Sequence, residues 1–459
     1  MPEFSLHEIV EATQARLTGG AAPDVIRGIA TDTRDLSPGA LFVALKGERF
    51  DGHGFVEEAF RGGAAAALVS KQVPAAGPQL LVSDTLVALG ALAASHRRSL
   101  PVRVVAVTGS IGKTTTKEMV AAILSQGWPT ARTPGNYNNE IGVPLALLEL
   151  TSDHKAAVVE LAMRGPGQIS YLANMVQPQI GLVTNIGVSH LELLGTREAI
   201  AEAKAELLAI LPPDGVAVLN ADDDFFEFLR ARSSARVVSF ARNAEADVRA
   251  DQVEAAPDGR VKFLLRGWWG EQQLSLPAAG RHQALNAAAA AASAVAAGAQ
   301  PAWIAAGLET FAGAEMRGRI EEAPGGFRVI DDSYNAAPES MRVALELLGD
   351  LPGTRKWAVL GDMKELGPMA VEWHREMGEL AASLRLAGLI TVGELGRHIA
   401  AAAREHLASG EVVEAADNAA AAAILKERVG PGDVVLIKGS RVMKMEEVVG
   451  MLLAGEGGR

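Results

Sequence analysis

The stretch Val104-Val105-Ala106-Val107-Thr108-Gly109-Ser110-Ile111-Gly112-Lys113-Thr114-Thr115-Thr116-Lys117-Glu118 decides the fold of this chain. An apolar, β-branched run is followed by a glycine-rich turn and then by a pattern that begins a helix. Glycine lets the backbone turn sharply, so that several N–H groups can point at one anion, and the helix N-terminus adds its dipole. The stretch therefore predicts a phosphate-binding loop between a strand and a helix.

Two side chains of this loop have the chemistry that a nucleotide needs. Lys113 would neutralise a β- or γ-phosphate, and the hydroxyl of Thr114 is a typical Mg²⁺ ligand. The spacing departs from the usual phosphate loop, because Val107 occupies the position of its first glycine. The alternative is a glycine-rich turn that binds nothing, and the Lys-Thr pair at the start of the helix argues against it.

The chain has 459 residues, a formal net charge of −12 and no cysteine. With roughly 150 residues per domain as a guide, this length predicts three domains, each large enough for its own core. The negative charge argues against a nucleic-acid partner, and the lack of cysteine excludes disulfides and thiolate metal sites. The sequence has neither a signal pattern nor an apolar run of about 18 residues, so we expect a cytoplasmic protein without a membrane span.

Patterns along the chain predict an α/β fold with domains at 1–99, 100–313 and 314–459. Short apolar runs alternate with helical patterns in the first range, which indicates a small α/β domain. The linker Ser99-Leu100-Pro101 precedes a central domain with a parallel sheet around the phosphate loop, and residues 246–276 alternate like an antiparallel insertion. Strand candidates between helical spans predict a second doubly wound sheet in the last range.

Polar side chains follow the predicted strands of the central sheet at the points where these strands end. Thr108, Glu160 and Asn185 occupy such positions. Because ligands of open parallel sheets lie beyond the carboxyl ends of the strands, we expect these three residues to converge on one crevice. Thr114 and Glu160 would give Mg²⁺ hard oxygen ligands, and His190 could serve a second ion.

Several of these residue types also have an ordinary structural explanation. His190 by itself is typical of a structural or solvated histidine, and Lys204 is typical of an exposed helix lysine. Arg319, at the entrance of the third domain, could reach phosphate oxygens when the domains close or could simply lie on the surface. Asp332 and Asn335 could cap the helix that follows them, or could hold a ribose and an adenine.

The alanine-rich run 284–297 predicts a packed helix, since alanine has the best helix propensity. At its start His282 and Asn286 lie at i and i+4, on one helix face, and could meet a nucleotide together. In the first domain, the polar stretches 31–34 and 45–53 could clamp a nucleobase and a diphosphate, or could be solvated loops.

Seven motifs follow one another in an order that is typical of one enzyme family. They are TGSIGKTTTKE (108–118), GNYNNEIGVPL (135–145), NIGVSHLE (185–192), GRHQALN (280–286), DDSYNAAPESM (331–341), GDMKELG (361–367) and KGSR (438–441). Together they resemble the Mur ligases, which build the peptide stem of bacterial cell-wall precursors. The N-terminal patterns D-[ST]-R and LFVALKGERFDGH are similar to the UDP-sugar-binding domain of one branch of that family. The chain departs from the family pattern at Ala162, where glycine is common, and at Gln168, in what is commonly Gly-Glu-Ile.

This resemblance implies an ATP-dependent amide ligase that joins D-alanyl-D-alanine to UDP-N-acetylmuramoyl-tripeptide through an acyl phosphate. It implies a UDP-binding domain, an ATP-binding domain and a Rossmann-like C-terminal domain, with Mg²⁺ as cofactor, a carbamylated Lys204 and a monomeric enzyme. The roles it implies are catalytic for Lys113, Lys204, His190 and Arg319; ATP-binding for Gly109, Ser110, Ile111, Gly112, Lys113, Thr114, Thr115, His282, Asn286, Arg319, Asp332 and Asn335; substrate-binding for Thr33, Arg34, Lys46, Gly47, Asn138 and Asn139; and metal-binding for Thr114, Glu160, His190 and Lys204.

Three other functions fit part of the sequence. A sister ligase that adds a diamino acid would be expected to carry an Asp-Asn-Pro-Arg motif, which this chain lacks. A folylpolyglutamate synthetase would share the ATP-binding core, but not this first domain or the TGS-x-GKTTT spelling. A regulatory ATP-binding module would not need Lys113, Glu160, His190 and Lys204 together.

Overall fold

A computed structural model describes residues 2–47, 50–256, 258–311, 313, 315–407 and 411–454. Residues 48 and 49 of the LFVALKGERFDGH pattern and residue 314, the predicted start of the third domain, lie outside these ranges. Among the helices of the described ranges, none combines the length and the apolar character that crossing a membrane requires.

The N-terminal unit is a small α/β fold. Its described strands form a five-stranded sheet in the order β2-β7-β6-β5-β4, in which β2 runs antiparallel to β7 and the others are parallel, and β1 pairs with β3 separately. The elements are β1 (Glu3–Ser5), α1 (Leu6–Thr13), β2 (Arg16–Thr18), β3 (Val25–Arg27), β4 (Ile29–Ala30), β5 (Leu41–Val43), α2 (Val56–Arg61), β6 (Ala66–Val69), β7 (Gln79–Leu81) and α3 (Thr85–Ser99), with 3₁₀ turns at Thr33–Asp35 and Gly52–Phe55.

The central unit is built around a sheet with nine strands among the residues that the structure describes. The order is β16-β15-β14-β13-β12-β11-β8-β10-β9, parallel from β9 to β14 and antiparallel from β14 to β16. The elements are β8 (Arg103–Thr108), α4 (Lys113–Leu124), β9 (Thr130–Arg132), α5 (Gly142–Leu148), β10 (Ala156–Glu160), α6 (Gln168–Val176), β11 (Ile180–Val183), α7 (Leu191–Leu194), α8 (Arg197–Ile210), β12 (Val216–Asn220), α9 (Phe226–Arg230), β13 (Arg236–Ala241), β14 (Val248–Ala255), β15 (Val261–Gly267), β16 (Gly270–Leu276), α10 (His282–Ala296) and α11 (Ala302–Glu309).

The predicted antiparallel segment at 246–276 is present, but it does not form a sheet of its own. Its first strand, β14, pairs in parallel with β13, so the segment extends the edge of the central sheet.

The C-terminal unit is a second doubly wound sheet, as predicted. Its described strands follow the order β17-β18-β22-β19-β20-β21, with only β17 antiparallel within these residues. The elements are β17 (Arg319–Glu322), β18 (Arg328–Asp332), α12 (Pro338–Asp350), β19 (Lys356–Gly361), α13 (Ala370–Ser383), β20 (Gly388–Val392), α14 (Gly396–Arg404), β21 (Val412–Ala415), α15 (Asn418–Arg428), β22 (Val434–Lys438) and α16 (Glu446–Leu453), with 3₁₀ turns at Gly367–Met369 and Arg441–Met443.

The central sheet is covered by helices on both faces, which explains why its strands are almost continuously apolar. One face packs against α4, α10 and α11, and the other packs against α5, α6, α8 and α3 of the N-terminal unit. Helix α10 contains the predicted alanine-rich run, whose small side chains are nearly all buried against the sheet. The carboxyl ends of the strands, where polar residues collect, therefore open toward loops rather than toward a helix layer.

Candidate active site

The predicted phosphate-binding loop joins β8 to α4. Gly109 has a φ of 146° and Gly112 a φ of 79°, so both occupy conformations that favour glycine. A Cβ at Gly109 would lie 1.9 Å from Thr184 Oγ1, because the next strand of the sheet passes close to the loop. The loop backbone is thus pressed against the end of β11.

Hydrogen bonds fix the loop to the segment that follows β11. Ile111 N–H donates to Asn185 Oδ1 at 3.0 Å, and the Ile111 carbonyl accepts from Asn185 Nδ2 at 3.1 Å and from Thr184 Oγ1 at 2.6 Å. Gly187 N–H donates to Ser110 Oγ at 2.8 Å. Asn185 therefore meets the loop directly, as the position of the strand ends predicted.

Two lysines converge on one carbonyl of the loop. Lys113 Nζ donates to the Gly109 and Ser110 carbonyls at 2.9 and 3.0 Å, and Lys204 Nζ donates to the same Gly109 carbonyl at 3.0 Å. Burial lowers the pKa of Lys113 to about 8, although the nearby Glu160 carboxylate opposes this shift. Burial also lowers the pKa of Lys204 well below its ordinary value, and the charge of Lys113 adds to the effect.

Lys204 is buried, although its sequence context is typical of an exposed helix lysine. Its side chain is 2% exposed, whereas the residue pattern of α8 is also compatible with a surface lysine. Since an ammonium is costly to bury with a single hydrogen bond, the neutral amine is favoured at this position.

Glu160, at the end of β10, is buried beside the loop that follows β9. Its Oε1 accepts from Asn138 Nδ2 at 2.8 Å, and its backbone N–H donates to Thr133 Oγ1 at 3.1 Å. Its Oε2 is buried without a hydrogen-bond partner. A buried carboxylate oxygen with no donor is costly, and a bound cation would satisfy it.

Asn139 has a different environment from its neighbour Asn138. Its Oδ1 accepts from the backbone N–H groups of Ile141 and Gly142 at 3.2 and 2.9 Å, at the start of α5. The Asn139 side chain thus supports the helix start, while Asn138 faces Glu160.

His190 lies where the central and C-terminal units meet. Its Nδ1 is 2.6 Å from Glu365 Oε2, and its backbone is left-handed with a φ of 67°. Burial lowers the pKa of His190, and the charge of Glu365 opposes this shift. Two residues earlier, Val188 N–H donates to Glu339 Oε1 at 2.7 Å. Two carboxylates of the C-terminal unit therefore hold the segment that follows β11.

Within the described ranges, no group of three or more His, Cys, Asp or Glu side chains is arranged to hold a metal. The predicted Mg²⁺ ligands contain only two residues of these types, Glu160 and His190. The others are Thr114, in the first turn of α4, and Lys204, which would need to be modified to ligate a cation.

A cavity of about 580 Å³ opens next to the phosphate-binding loop, between the central and C-terminal units. Its walls include Ile111, His282, Arg242 and Glu339. Burial lowers the pKa of His282 to about 4, and the charges of Lys438 and Arg242 lower it further. The histidine therefore faces the cavity as a neutral ring at physiological pH.

Asn286 lies one helical turn further along α10, but it does not line this cavity with His282. Its side-chain oxygen would be 2.8 Å from a Cβ at Gly112, so it touches the phosphate-binding loop itself. Its Nδ2 donates to Gln283 Oε1 at 3.0 Å. His282 thus lines the cavity, whereas Asn286 contacts the phosphate-binding loop at Gly112.

Asp332 and Asn335 are brought together by Lys438 at the end of β22. Lys438 Nζ donates to Asp332 Oδ2 at 2.6 Å and to the Asn335 carbonyl at 2.9 Å, and the lysine is 2% exposed. Burial raises the pKa of Asp332, while Lys438 opposes the shift. Neither predicted residue caps α12 with its side chain, which removes the structural explanation offered by the sequence.

Arg319 is not brought to the phosphate-binding loop in this structure. It lies on the edge strand β17, its side chain is 53% exposed, and its Nε is 3.9 Å from Glu321 Oε1. Arg317, two residues earlier, is close enough for its charge to lower the pKa of both Lys113 and Asp332. Its guanidinium lies 4.1 Å from the centroid of the Tyr334 ring.

The predicted substrate-binding residues of the N-terminal unit lie outside its strands and α-helices. Thr33 Oγ1 donates to Glu58 at 2.8 Å, and Arg34 pairs with Asp32. Lys46 forms an isolated backbone bridge with Asp51, and Gly47 N–H donates to the Phe50 carbonyl at 2.8 Å. These residues are partly or largely exposed, so they are accessible to a ligand.

Sequence reasoning missed Arg317, Lys438, Glu339 and Glu365. Lys438 has a usable signal, because it ends a strand of the C-terminal sheet next to the strand that Asp332 ends. The two glutamates lie in the motifs DDSYNAAPESM and GDMKELG, but the sequence could not predict their partners, because these contacts cross to a segment more than 150 residues away in the chain.

Three family models match consecutive parts of the chain. They are "Mur ligase family, catalytic domain" at residues 25–122, "Mur ligase middle domain" at 107–294, and "Mur ligase, glutamate ligase domain" at 316–441.

Relatives match the chain over nearly its whole length. The Escherichia coli (strain K12) UDP-N-acetylmuramoyl-tripeptide--D-alanyl-D-alanine ligase is 40% identical over 98% of both chains. The crystal structure of MurF from Acinetobacter baumannii is 37% identical, with a TM-score of 0.90 over 99% of both chains. MurF ligase from Thermotoga maritima, solved in complex with ADP, is 31% identical with a TM-score of 0.83, over 93% of this chain and 97% of that one. From its full-length similarity to these ligases and its three matching family models, this chain belongs to the Mur ligase family.

Proposed function

We propose that this protein is the ATP-dependent ligase that joins D-alanyl-D-alanine to UDP-N-acetylmuramoyl-tripeptide in peptidoglycan precursor synthesis. The observation that carries the proposal is the arrangement of Lys113 on the phosphate-binding loop, close to the buried carboxylate of Glu160, in a chain similar to such ligases over its full length. We further propose that the enzyme acts in the cytoplasm and that it is a monomer.

The chemistry requires two anions, the triphosphate and the substrate carboxylate, to be brought together. The carboxylate oxygen attacks the γ-phosphorus and ADP leaves; the amine of D-alanyl-D-alanine then attacks the acyl carbon, loses a proton and expels phosphate. This problem is electrostatic, so it needs cations rather than a protein nucleophile. Lys113 would exchange its hydrogen bonds to the Gly109 and Ser110 carbonyls for contacts with the transferring phosphate.

The residues present fit an Mg²⁺ ion. Glu160 has an unpartnered buried oxygen, and Thr114 lies in the first turn of α4. His190 lies close enough to Lys113 and Lys204 for their charges to lower its pKa. When bound, Mg²⁺ would supply positive charge for the phosphate oxygens. Of these residues, Glu160 is the anion that would hold it most strongly.

We also propose that Lys204 is carbamylated. Only a neutral amine reacts with CO₂, and burial favours that form because it lowers the pKa of Lys204. The carbamate would place negatively charged oxygens at this position, and these attract cations.

The remaining predicted roles become proposals for the substrates. Asn138 and Asn139 would lie near the acyl group, and the nucleotide would contact the loop residues from Gly109 to Thr115. Further nucleotide contacts are proposed for His282, Asn286, Asp332, Asn335 and Arg319. In the N-terminal unit, Thr33, Arg34, Lys46 and Gly47 would face the uridine diphosphate, and we propose domain boundaries at 99/100 and 313/314.

ADP release with defined substrates tests this function. Purified protein should form ADP from ATP when UDP-N-acetylmuramoyl-tripeptide and D-alanyl-D-alanine are both present, and much less when either is omitted. The control arm replaces both with glutamate and a folate. Equal turnover in that arm would reject the assignment.

A further inference from the structure

One lysine of the TGSIGKTTTKE motif is completely buried and has no part in the proposed chemistry. Lys117, in the second turn of α4, is 0% exposed. Its ammonium makes three polar contacts: it donates to the Thr133 carbonyl at 2.6 Å and the Gly135 carbonyl at 3.2 Å, and it pairs with Glu118 at 3.1 Å. Two backbone carbonyls and one carboxylate therefore surround this buried charge.

The two carbonyls belong to the segment from Thr133 to Asn138, which joins β9 to α5 and is neither helix nor strand. A segment of this kind lacks a ladder of backbone hydrogen bonds, so its carbonyls need other partners. Lys117 supplies them from the helix that carries the phosphate-binding loop. It therefore ties this segment to the loop rather than to the sheet alone.

Both ends of the tied segment contact Glu160. Thr133 is 1% exposed, and its hydroxyl accepts from the Glu160 N–H at 3.1 Å. Asn138 Nδ2 donates to Glu160 Oε1 at 2.8 Å, and the Asn138 carbonyl accepts from Ala162 N–H at 2.9 Å. A shift of this segment relative to α4 would move the Glu160 carboxylate and the Asn138 amide relative to Lys113.

We propose that Lys117 is a positioning residue for the ligase reaction, and this inference rests on the function proposed above. Its ammonium holds the segment from Thr133 to Asn138 at a fixed place on the phosphate-loop helix. It thereby sets where Asn138 and Glu160 stand with respect to the transferring phosphate. A positional error of about 1 Å can reduce a rate about 10²-fold, so loss of this contact should reduce the rate strongly.

Arg97 offers a matched control. It is 4% exposed and also donates to backbone carbonyls, those of Val176 at 3.0 Å, Leu100 at 3.0 Å and Val102 at 2.9 Å. These carbonyls precede β11 and β8, at the end of the sheet opposite to the phosphate-binding loop. Replacing Arg97 removes a buried cation of the same kind without touching the site.

The test compares Lys117→Met, Thr133→Val and Arg97→Met with the unchanged protein. ADP affinity is measured by calorimetry, amide hydrogen exchange is measured in residues 133–139, and kcat and KM are measured for ATP and for the UDP-linked tripeptide. For Lys117→Met we expect faster exchange in that segment, ADP affinity within about threefold of the unchanged protein, and kcat/KM for the tripeptide reduced by about 10²-fold. Thr133→Val should change kcat/KM in the same direction, while Arg97→Met should lower thermal stability and leave these ratios unchanged.

Two outcomes would overturn the proposal. One is a loss of activity in Lys117→Met that matches Arg97→Met at equal loss of thermal stability. The other, which applies even where Lys117→Met does not fold, is unchanged kinetics in Thr133→Val, because this variant removes the hydrogen bond from Glu160 to the segment that Lys117 holds. A failure of the proposed function can be told apart from a failure of this inference. It would appear as a lack of acceptor-dependent ADP formation in the unchanged protein, whose ADP affinity and amide hydrogen exchange would still be measurable.

Discussion

Lys113 and Lys204 donate to the same carbonyl oxygen, that of Gly109, at 2.9 and 3.0 Å. Lys113 begins α4 and Lys204 lies in α8, so two helices bring two amines to one acceptor. Burial lowers the pKa of both lysines, and the charge of Lys113 lowers the pKa of Lys204 further. This arrangement suits the two proposed roles, in which a charged Lys113 binds phosphate and a neutral Lys204 reacts with CO₂.

Replacing Lys113 with alanine should reduce kcat by about 10²-fold or more, since a charged contact to the transferring phosphate is lost. The measurement is acceptor-dependent ADP formation at saturating substrates. Lys262→Ala, an exposed lysine on β15, serves as the control and should keep its rate. A near-normal rate for Lys113→Ala would remove this lysine from the phosphate site.

Replacing Lys204 with methionine should stabilise the protein in the absence of Mg²⁺ while abolishing activity. A buried amine gives way to an apolar chain of similar length, and the Gly109 carbonyl keeps Lys113 as its donor. We expect a gain of about 1–3 kcal/mol in the free energy of unfolding, measured by urea titration. Formate or acetate should restore part of the activity of Lys204→Ala, as a small carboxylate can stand in for a carbamate. Full activity of either variant without such additives would contradict the role proposed for Lys204.

Gly109→Ala should destabilise the protein and weaken ADP binding. The residue has a φ of 146°, and its new Cβ would lie 1.9 Å from Thr184 Oγ1, so both backbone and contact are strained. We expect a cost of about 1–3 kcal/mol in stability. Gly165→Ala is the matched control, because a Cβ there meets nothing within 4 Å. Equal thermal midpoints for the two variants would show that the loop can relax around the methyl group.

His282 should make the protein less stable in acid. Its pKa in the folded state is lowered to about 4 from an ordinary value of 6.5, so between these values the unfolded chain binds a proton that the folded chain does not. The neutral His282 therefore costs no stability above about pH 6.5. As the pH drops toward 4 the free energy of unfolding falls, by about 1–2 kcal/mol at pH 5.

Calorimetry at pH 7 and pH 5 would measure this effect. The thermal midpoint of His282→Gln should fall less between pH 7 and pH 5 than that of the unchanged protein. His7→Gln, whose side chain is 86% exposed, should behave like the unchanged protein. If His282→Gln shows the full acid loss, other groups are responsible for it.

Local sequence was sufficient for the elements around the site. The strand before Gly109, the helix that begins at Lys113 and the alanine-rich helix α10 all occur where the patterns predicted them. These features depend on side-chain periodicity and on the special backbone freedom of glycine, both of which are written in consecutive residues. The convergence of Asn185 on the loop also followed, because parallel strands end at one edge of a sheet.

Burial and long-range partners were decided by the tertiary structure alone. Lys117 and Lys204 have the sequence context of ordinary helix lysines, and both are buried because segments distant in the chain pack over them. His190 meets Glu365 across 175 residues, and Arg317 rather than Arg319 lies near Lys113. Whether a side chain faces solvent, a carbonyl or another charge depends on how separate elements pack together, and this information is absent from the local pattern of any one of them.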